Sequence, residues 1–143
     1  MNVTRHKVMV IPYTSDGRAL TVQDKITEEW GFISGGVKCR EKNLDAASRE
    51  LCEETSGLLS QIPSFFRRIE FVTSYRPDIL RKSDKKRNIN VLSKYNIYIF
   101  KIDDDFDVSD FKPNSEIKSI KLQYYESIEN TWELCDFVFS KLI

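Results

Sequence analysis

The chain has 143 residues, of which 41% are hydrophobic and 31% charged. That suits one compact domain with a packed core, spanning residues 1–143. Lys plus Arg balances Asp plus Glu at 22 each, so no global charge draws the chain to nucleic acid or an anionic membrane, and any such attraction must be local. The longest apolar run near the start, Val8 to Ile11, is too short for a signal-peptide core. No stretch approaches the ~20 apolar residues of a membrane span.

In chain order, Val8 to Tyr13 reads as a strand and Ser15-Asp16-Gly17 as a turn. Ala19 to Gln23 resumes an extended pattern, so the two runs form a hairpin. Trp30 to Ile33 is a short apolar run that stops at Ser34-Gly35-Gly36. The period then becomes helical: Leu44, Ala47, Leu51 and Leu58 share one face. Asn43 is the candidate N-cap, and Gly57 sits where a helix would stop. Phe65 to Ser74, Tyr95 to Ile102 and Ile117 to Tyr125 read as strands, rich in aromatic and β-branched residues. Arg81 to Arg87 holds five basic residues and one acid, and Asp103 to Asp107 is an acidic turn. Leu134, Phe137, Val138 and Leu142 give a closing amphipathic helix. This order predicts an α/β sandwich with a mixed sheet.

Composition also bounds the chemistry. The only histidine, His6, excludes a site built on several His ligands and leaves a Ser-His-Asp triad a single candidate base. Cys39, Cys52 and Cys135 are odd in number and form no C-x-x-C pair, which argues against a zinc site or disulfide framework and fits a reducing, cytoplasmic setting. Catalysis would have to run on carboxylates, Lys, Arg or Tyr.

The informative segment is Gly35 to Leu58, GGVKCREKNLDAASRELCEETSGL. At about 3.6 residues per turn, Glu50 and Glu54 lie one turn apart with Glu53 beside them. Like charges so placed cost a helix ~0.2–0.5 kcal/mol per pair, and a hard divalent cation would relieve the repulsion. Arg49 can orient a carboxylate by a charge-assisted hydrogen bond, Glu41 adds a further acid, and a glycine carbonyl can complete a metal shell. An acidic helix face alone is more often simply solvated, so the combination of elements carries the argument.

That combination resembles the Nudix box, G-x5-E-x7-R-E-U-x-E-E-x-G-U with U aliphatic. Gly35 and Glu41 match its start, and Arg49-Glu50-Leu51-Cys52-Glu53-Glu54 matches its central run in full. Trp30-Gly31-Phe32 precedes the box, as is common in this family. The resemblance implies the Nudix fold, an α-β-α sandwich with a mixed β-sheet, as in MutT-like hydrolases. It implies a pyrophosphohydrolase that uses Mg²⁺, with Mn²⁺ as a substitute. The implied metal ligands are Glu50, Glu53, Glu54 and Gly35. Glu53 or Glu54 would also orient the attacking water, with Glu53 the first choice as catalytic residue, and Arg49 would hold the glutamates. The general base, taken in several relatives from a loop outside the box, is assigned first to Glu116, with Glu41 and the Asp103–Asp107 cluster as rivals.

Two departures stand out. Ser34-Gly35-Gly36 replaces the usual Pro-Gly-Gly, which leaves open which glycine carbonyl faces the metal and is similar to boxes in large DNA virus proteins. Glu54-Thr55-Ser56-Gly57-Leu58 holds one residue more than E-x-G-U. The implied partner is a nucleotide-like small molecule: a nucleoside triphosphate, a dinucleoside polyphosphate or a capped RNA end. Tyr75 resembles a marker of dinucleoside polyphosphate hydrolases, and Lys85, Lys86 and Arg87 of the basic segment would grip extra phosphates. Phe65, Phe66, Tyr95 and Tyr98 are further candidates for stacking on a base, although most belong in the core. An inositol pyrophosphate hydrolase and a non-catalytic Nudix-fold binding module are the alternatives. No membrane partner is implied, and the oligomeric state is open.

Overall fold

The structure is a computed structural model that describes residues 2–74 and 90–142. Its strands are β1 (Asn2–Tyr13), β2 (Arg18–Asp24), β3 (Trp30–Gly31), β4 (Ile33–Gly36), β5 (Arg67–Thr73), β6 (Asn90–Lys101) and β7 (Ile117–Tyr124). Its helices are α1 (Asn43–Glu54) and α2 (Glu133–Leu142), with a short 3-10 turn at Tyr125–Ser127. Among the described residues no helix is long and apolar enough to cross a membrane.

β1 is the centre of a mixed sheet ordered β3-β2-β1-β6-β5, with β4 also paired to β1 and β7 to β2. It runs parallel to β6, from Asn2 beside Asn90 to Tyr13 beside Lys101, and antiparallel to β2 and β4. The run Val8–Ile11 is apolar without alternation because both faces of this strand are covered. Val8 and Val10 pack with Ala46, Ala47 and Leu51 of α1. Met9 and Ile11 pack with Leu134, Cys135 and Val138 of α2. The architecture is thus the α-β-α sandwich with a mixed sheet expected from the sequence.

Several boundaries differ from the sequence reading, each for a physical reason. β1 and β6 begin at Asn2 and Asn90, earlier than their apolar runs, because the parallel ladder between them extends the strands into polar sequence. The run at Trp30–Ile33 is two strands. β3 pairs with β2 and β4 with β1, and β4 continues through both glycines to Gly36.

The main helix starts at Asn43, so Lys42 rather than Asn43 is its N-cap, and no side chain caps it there. Leu44 is 39% exposed and is not a core residue. The helix ends at Glu54, before Leu58, by a Schellman closure. Gly57 N–H donates to the Cys52 carbonyl (2.8 Å) and Ser56 N–H to the Glu53 carbonyl (3.3 Å). Ser56 takes the left-handed position at φ 52°, and Gly57 follows at φ 83°.

Leu134 is fully buried among the side chains that join α2 to the sheet. Leu134→Ala should lower the unfolding free energy by about 2–5 kcal/mol, the usual cost of a large-to-small change in a core. A urea unfolding curve would register this as a lower midpoint with an unchanged slope.

Candidate active site

The site is organised where α1 crosses β4. Glu50 and Glu54 lie one turn apart and both are buried, 7% and 6% exposed, whereas Glu53 is exposed. Burial raises the affinity of Glu50 and Glu54 for protons, because a low-dielectric setting disfavours the carboxylate. The two carboxyl groups are hydrogen-bonded to each other, and the Ser34 amide donates to Glu54.

Close approach to the sheet depends on Gly35. A Cβ built there would fall 2.2 Å from the Glu50 carboxyl carbon, a separation no side chain could tolerate. Gly35 is a strand residue whose missing side chain leaves room for a buried acid.

Arg49 ties these parts together. Its guanidinium donates to both Glu41 oxygens (2.9 and 3.0 Å), to Glu50 Oε1 (2.8 Å) and to the Gly36 carbonyl (2.9 Å). A longer contact reaches Glu53 Oε2 (3.4 Å). The fork onto Glu41 is bidentate, the geometry at which arginine is strongest. Together with the Lys38 amide, it holds the Glu41 carboxyl down to about 2. Glu41 thus serves Arg49 and is poorly placed to be a base. Among the described residues no three acidic, cysteine or histidine side chains converge on one point as they stand. The Glu50–Glu54 hydrogen bond and the Glu53–Arg49 contact turn the three acids toward different partners.

A cleft of about 420 Å³ opens beside Glu54. Sequence reasoning missed it, because its walls come from four separate segments. Its lining includes Ser34 and Glu54, Ser115 and Glu116, the aromatic residues Phe32 and Trp132, and Ile26. Ile26 is 89% exposed on a braced loop in which Asp24 Oδ1 accepts from the Ile26 and Thr27 amides. The Trp30-Gly31-Phe32 sequence shapes the aromatic wall. Trp132 N–H donates to the Trp30 carbonyl (2.6 Å), and a Cβ at Gly31 would lie 3.4 Å from the Trp132 ring and 3.0 Å from Cys135 Sγ. The one signal available in the sequence was that glycine between two aromatics.

Glu116 faces Glu54 across this cleft closely enough for its charge to help raise the Glu54 proton affinity. The rival acids at Asp103–Asp107 do not join the site. Asp104, for example, is bonded to the Ser15 amide and hydroxyl at the β1–β2 turn. Of the proposed base-stacking aromatics, Tyr95 and Tyr98 are 2% and 3% exposed in the core, Phe66 packs edge-on against Tyr98, and none of the four lines the cleft. Tyr75, Lys85, Lys86 and Arg87 lie outside the described residues.

Comparison with known proteins adds context. The NUDIX domain profile matches residues 3–133. No curated protein sequence matches the chain. Among solved structures, a bifunctional NMN adenylyltransferase/ADP ribose pyrophosphatase of Francisella tularensis, complexed with AMP and a manganese ion, is similar at a TM-score of 0.69 and 19% identity. That match covers 99% of this chain but 42% of the Francisella protein, so the chain spans about two fifths of that relative. A MutT NUDIX hydrolase of Burkholderia pseudomallei is similar at 0.63 and 14%, covering 99% of both chains. A UDP-X diphosphatase is similar at 0.62 and 15%, covering 93% of this chain and 57% of that one. At these identities the likeness is one of fold.

Two outcomes follow from the geometry. Gly35→Ala should displace Glu50 and lower stability, measurable as a fall in melting temperature, because the added methyl overlaps a buried carboxyl group. Glu41→Gln should also destabilise the protein at neutral pH, with a defined pH signature. The Glu41 carboxyl sits at about 2 when folded against an ordinary value of 4.5, so its contribution is complete above 4.5 and is lost as pH falls toward 2. Denaturation curves for the two proteins should differ at pH 7 and draw together as pH falls from 4.5 toward 2.

Proposed function

The chain belongs to the NUDIX domain family, hydrolases of phosphoric anhydride bonds, and we propose that its substrate is a nucleotide whose base enters the cleft while its pyrophosphate lies over Glu50, Glu53 and Glu54. The observation that carries this reading is the lining of the cleft, which combines Glu54 of the acid-bearing helix and Glu116 with the aromatic side chains of Phe32 and Trp132. A planar base suits the aromatic wall. The inositol pyrophosphate alternative fits less well, because no Lys or Arg is among the described residues lining the cleft.

The acids fit a divalent cation. Two buried carboxylates and an exposed third would supply the oxygen donors that a hard cation such as Mg²⁺ or Mn²⁺ takes, once they turn from their present partners toward one point. Gly35 is the candidate carbonyl ligand, since the Gly36 carbonyl already accepts from Arg49. Bound cations would neutralise the pyrophosphate and acidify water. Arg49 fixes the carboxylate rotamers through four acceptor groups. Glu116 at the rim takes a proton from the water that attacks phosphorus, and the P–O bond to the leaving phosphate breaks.

The test is a hydrolysis screen with Mg²⁺ over dATP, diadenosine tetraphosphate, ADP-ribose, capped RNA and an inositol pyrophosphate. We expect turnover of at least one nucleotide, and its loss in excess chelator. Turnover of the inositol pyrophosphate alone would overturn the base-binding reading, and full activity in chelator would overturn the metal site. Glu53→Gln should cut kcat by more than about 100-fold, beyond the ~10–100-fold typical of outer-shell partners. Its stability should hold, because the side chain is exposed and one repulsion is removed. Mg²⁺ at 100 times its Kd should stabilise the wild type by about 2.7 kcal/mol, a readout independent of turnover.

A further inference from the structure

The inserted residue at the end of the box has a structural partner. Ser56 stands where the family pattern has glycine and holds the left-handed φ of 52° that glycine adopts without strain. What serine adds is a hydroxyl. It donates to the Lys112 carbonyl (2.5 Å) and accepts from Asn114 Nδ2 (3.0 Å). The same Asn114 amide nitrogen donates to the Glu53 carbonyl (3.1 Å). On the other side of the amide, Asn114 Oδ1 accepts from the Glu116 N–H (3.0 Å) and the Ile117 N–H (2.9 Å).

An asparagine amide has two hydrogens and two lone pairs, and all four are used. The bonds also fix its orientation, since a flipped amide would set oxygen against the Glu53 carbonyl and N–H against two N–H groups. One side chain thus joins the end of the acid-bearing helix to the loop that carries Glu116. The loop is braced a second time from the cleft lip, where Lys25 Nζ donates to the Asn114 carbonyl (2.9 Å) and Lys25 N–H to the Glu116 carbonyl (2.9 Å).

We propose that Asn114, with Ser56, is a positioning residue that sets the distance between the Glu116 carboxylate and the acids of α1, and so controls kcat. The inference rests on the reading of Glu116 as the base. It also accounts for the departure of this box from the family pattern: the serine and the extra residue give the helix end an acceptor for Asn114 that a glycine lacks.

Asn114→Asp separates the two halves of the clasp. The carboxylate still caps the Glu116 and Ile117 amides but has no hydrogen to give Glu53 or Ser56, whereas Asn114→Ala removes both halves. The two variants, Glu116→Gln and the Asn114→Ala/Glu116→Gln double variant are compared on the nucleotide with the highest kcat/KM among dATP, diadenosine tetraphosphate and ADP-ribose. Both Asn114 variants should lose about 10-fold or more in kcat with KM within about 2-fold. In the Glu116→Gln background, Asn114→Ala should cost little more, because residues that act as a unit are non-additive.

Wild-type kcat in Asn114→Asp would overturn the bridge, leaving only a loop turn. Equal losses with and without Glu116 would show that Asn114 does not act through that residue. Unchanged kcat in Glu116→Gln would overturn the base reading separately. Amide hydrogen exchange of residues 112–117 and 52–57 supplies a readout free of substrate. Both segments should exchange faster in Asn114→Asp, and protection equal to wild type would overturn the clasp.

Discussion

The contact on which the rest of this site depends is a carboxyl group pressed against a glycine. The Glu50 carboxyl group lies where a side chain on Gly35 would stand, so any larger residue there would require Glu50 to shift. A buried charge is expensive unless paired, and each surrounding feature offsets that cost. Arg49 donates to Glu50 and is itself held by the Glu41 fork and the Gly36 carbonyl. Glu54 hydrogen-bonds Glu50 on the other side and takes an amide from Ser34. Helix α1 and strand β4 are therefore registered by polar contacts at one end and by Ala46, Ala47 and Leu51 in the core at the other. The apolar contacts bring the helix to the sheet, and the polar ones fix its rotation and axial position.

The sequence revealed the parts whose physics is local. The 3.6-residue period of the helix, the fixed spacing from Gly35 to Glu54 and the apolar run of β1 are written into short segments. The failures cluster where a distant partner decides. Polar residues Thr4 to His6 are strand because β6 lies alongside them. Leu44 has an apolar side chain at a helical spacing, yet no element covers it. Tyr95 and Tyr98, named as stacking candidates with the expectation that most such aromatics belong in the core, are core residues because β6 is central and covered on both faces. Trp132 was unremarkable in sequence until α2 was found strapped to β3 through the Trp30 carbonyl. Asn114 carried no motif at all, because its role lies in four hydrogen bonds to residues on two segments.

The site also divides its labour in a way that follows from charge. The described walls of the cleft contribute Asp24, Glu29, Glu54 and Glu116 and no lysine or arginine. A phosphate chain would be repelled by such a wall in the absence of cations, and the cleft narrows the field further by excluding solvent from part of it. On the proposed reading, cations held by the α1 acids would supply both phosphate affinity and phosphate chemistry, and the aromatic lining of the cleft would hold the base. Affinity for the base is uniform between ground and transition states and acts on KM. On the same reading the relation between the α1 acids and Glu116 would act on the step itself, and the segment joining them, Ser56 with Asn114, is held by directional hydrogen bonds. Packing tolerates small adjustments of position. An amide with every donor and acceptor engaged does not.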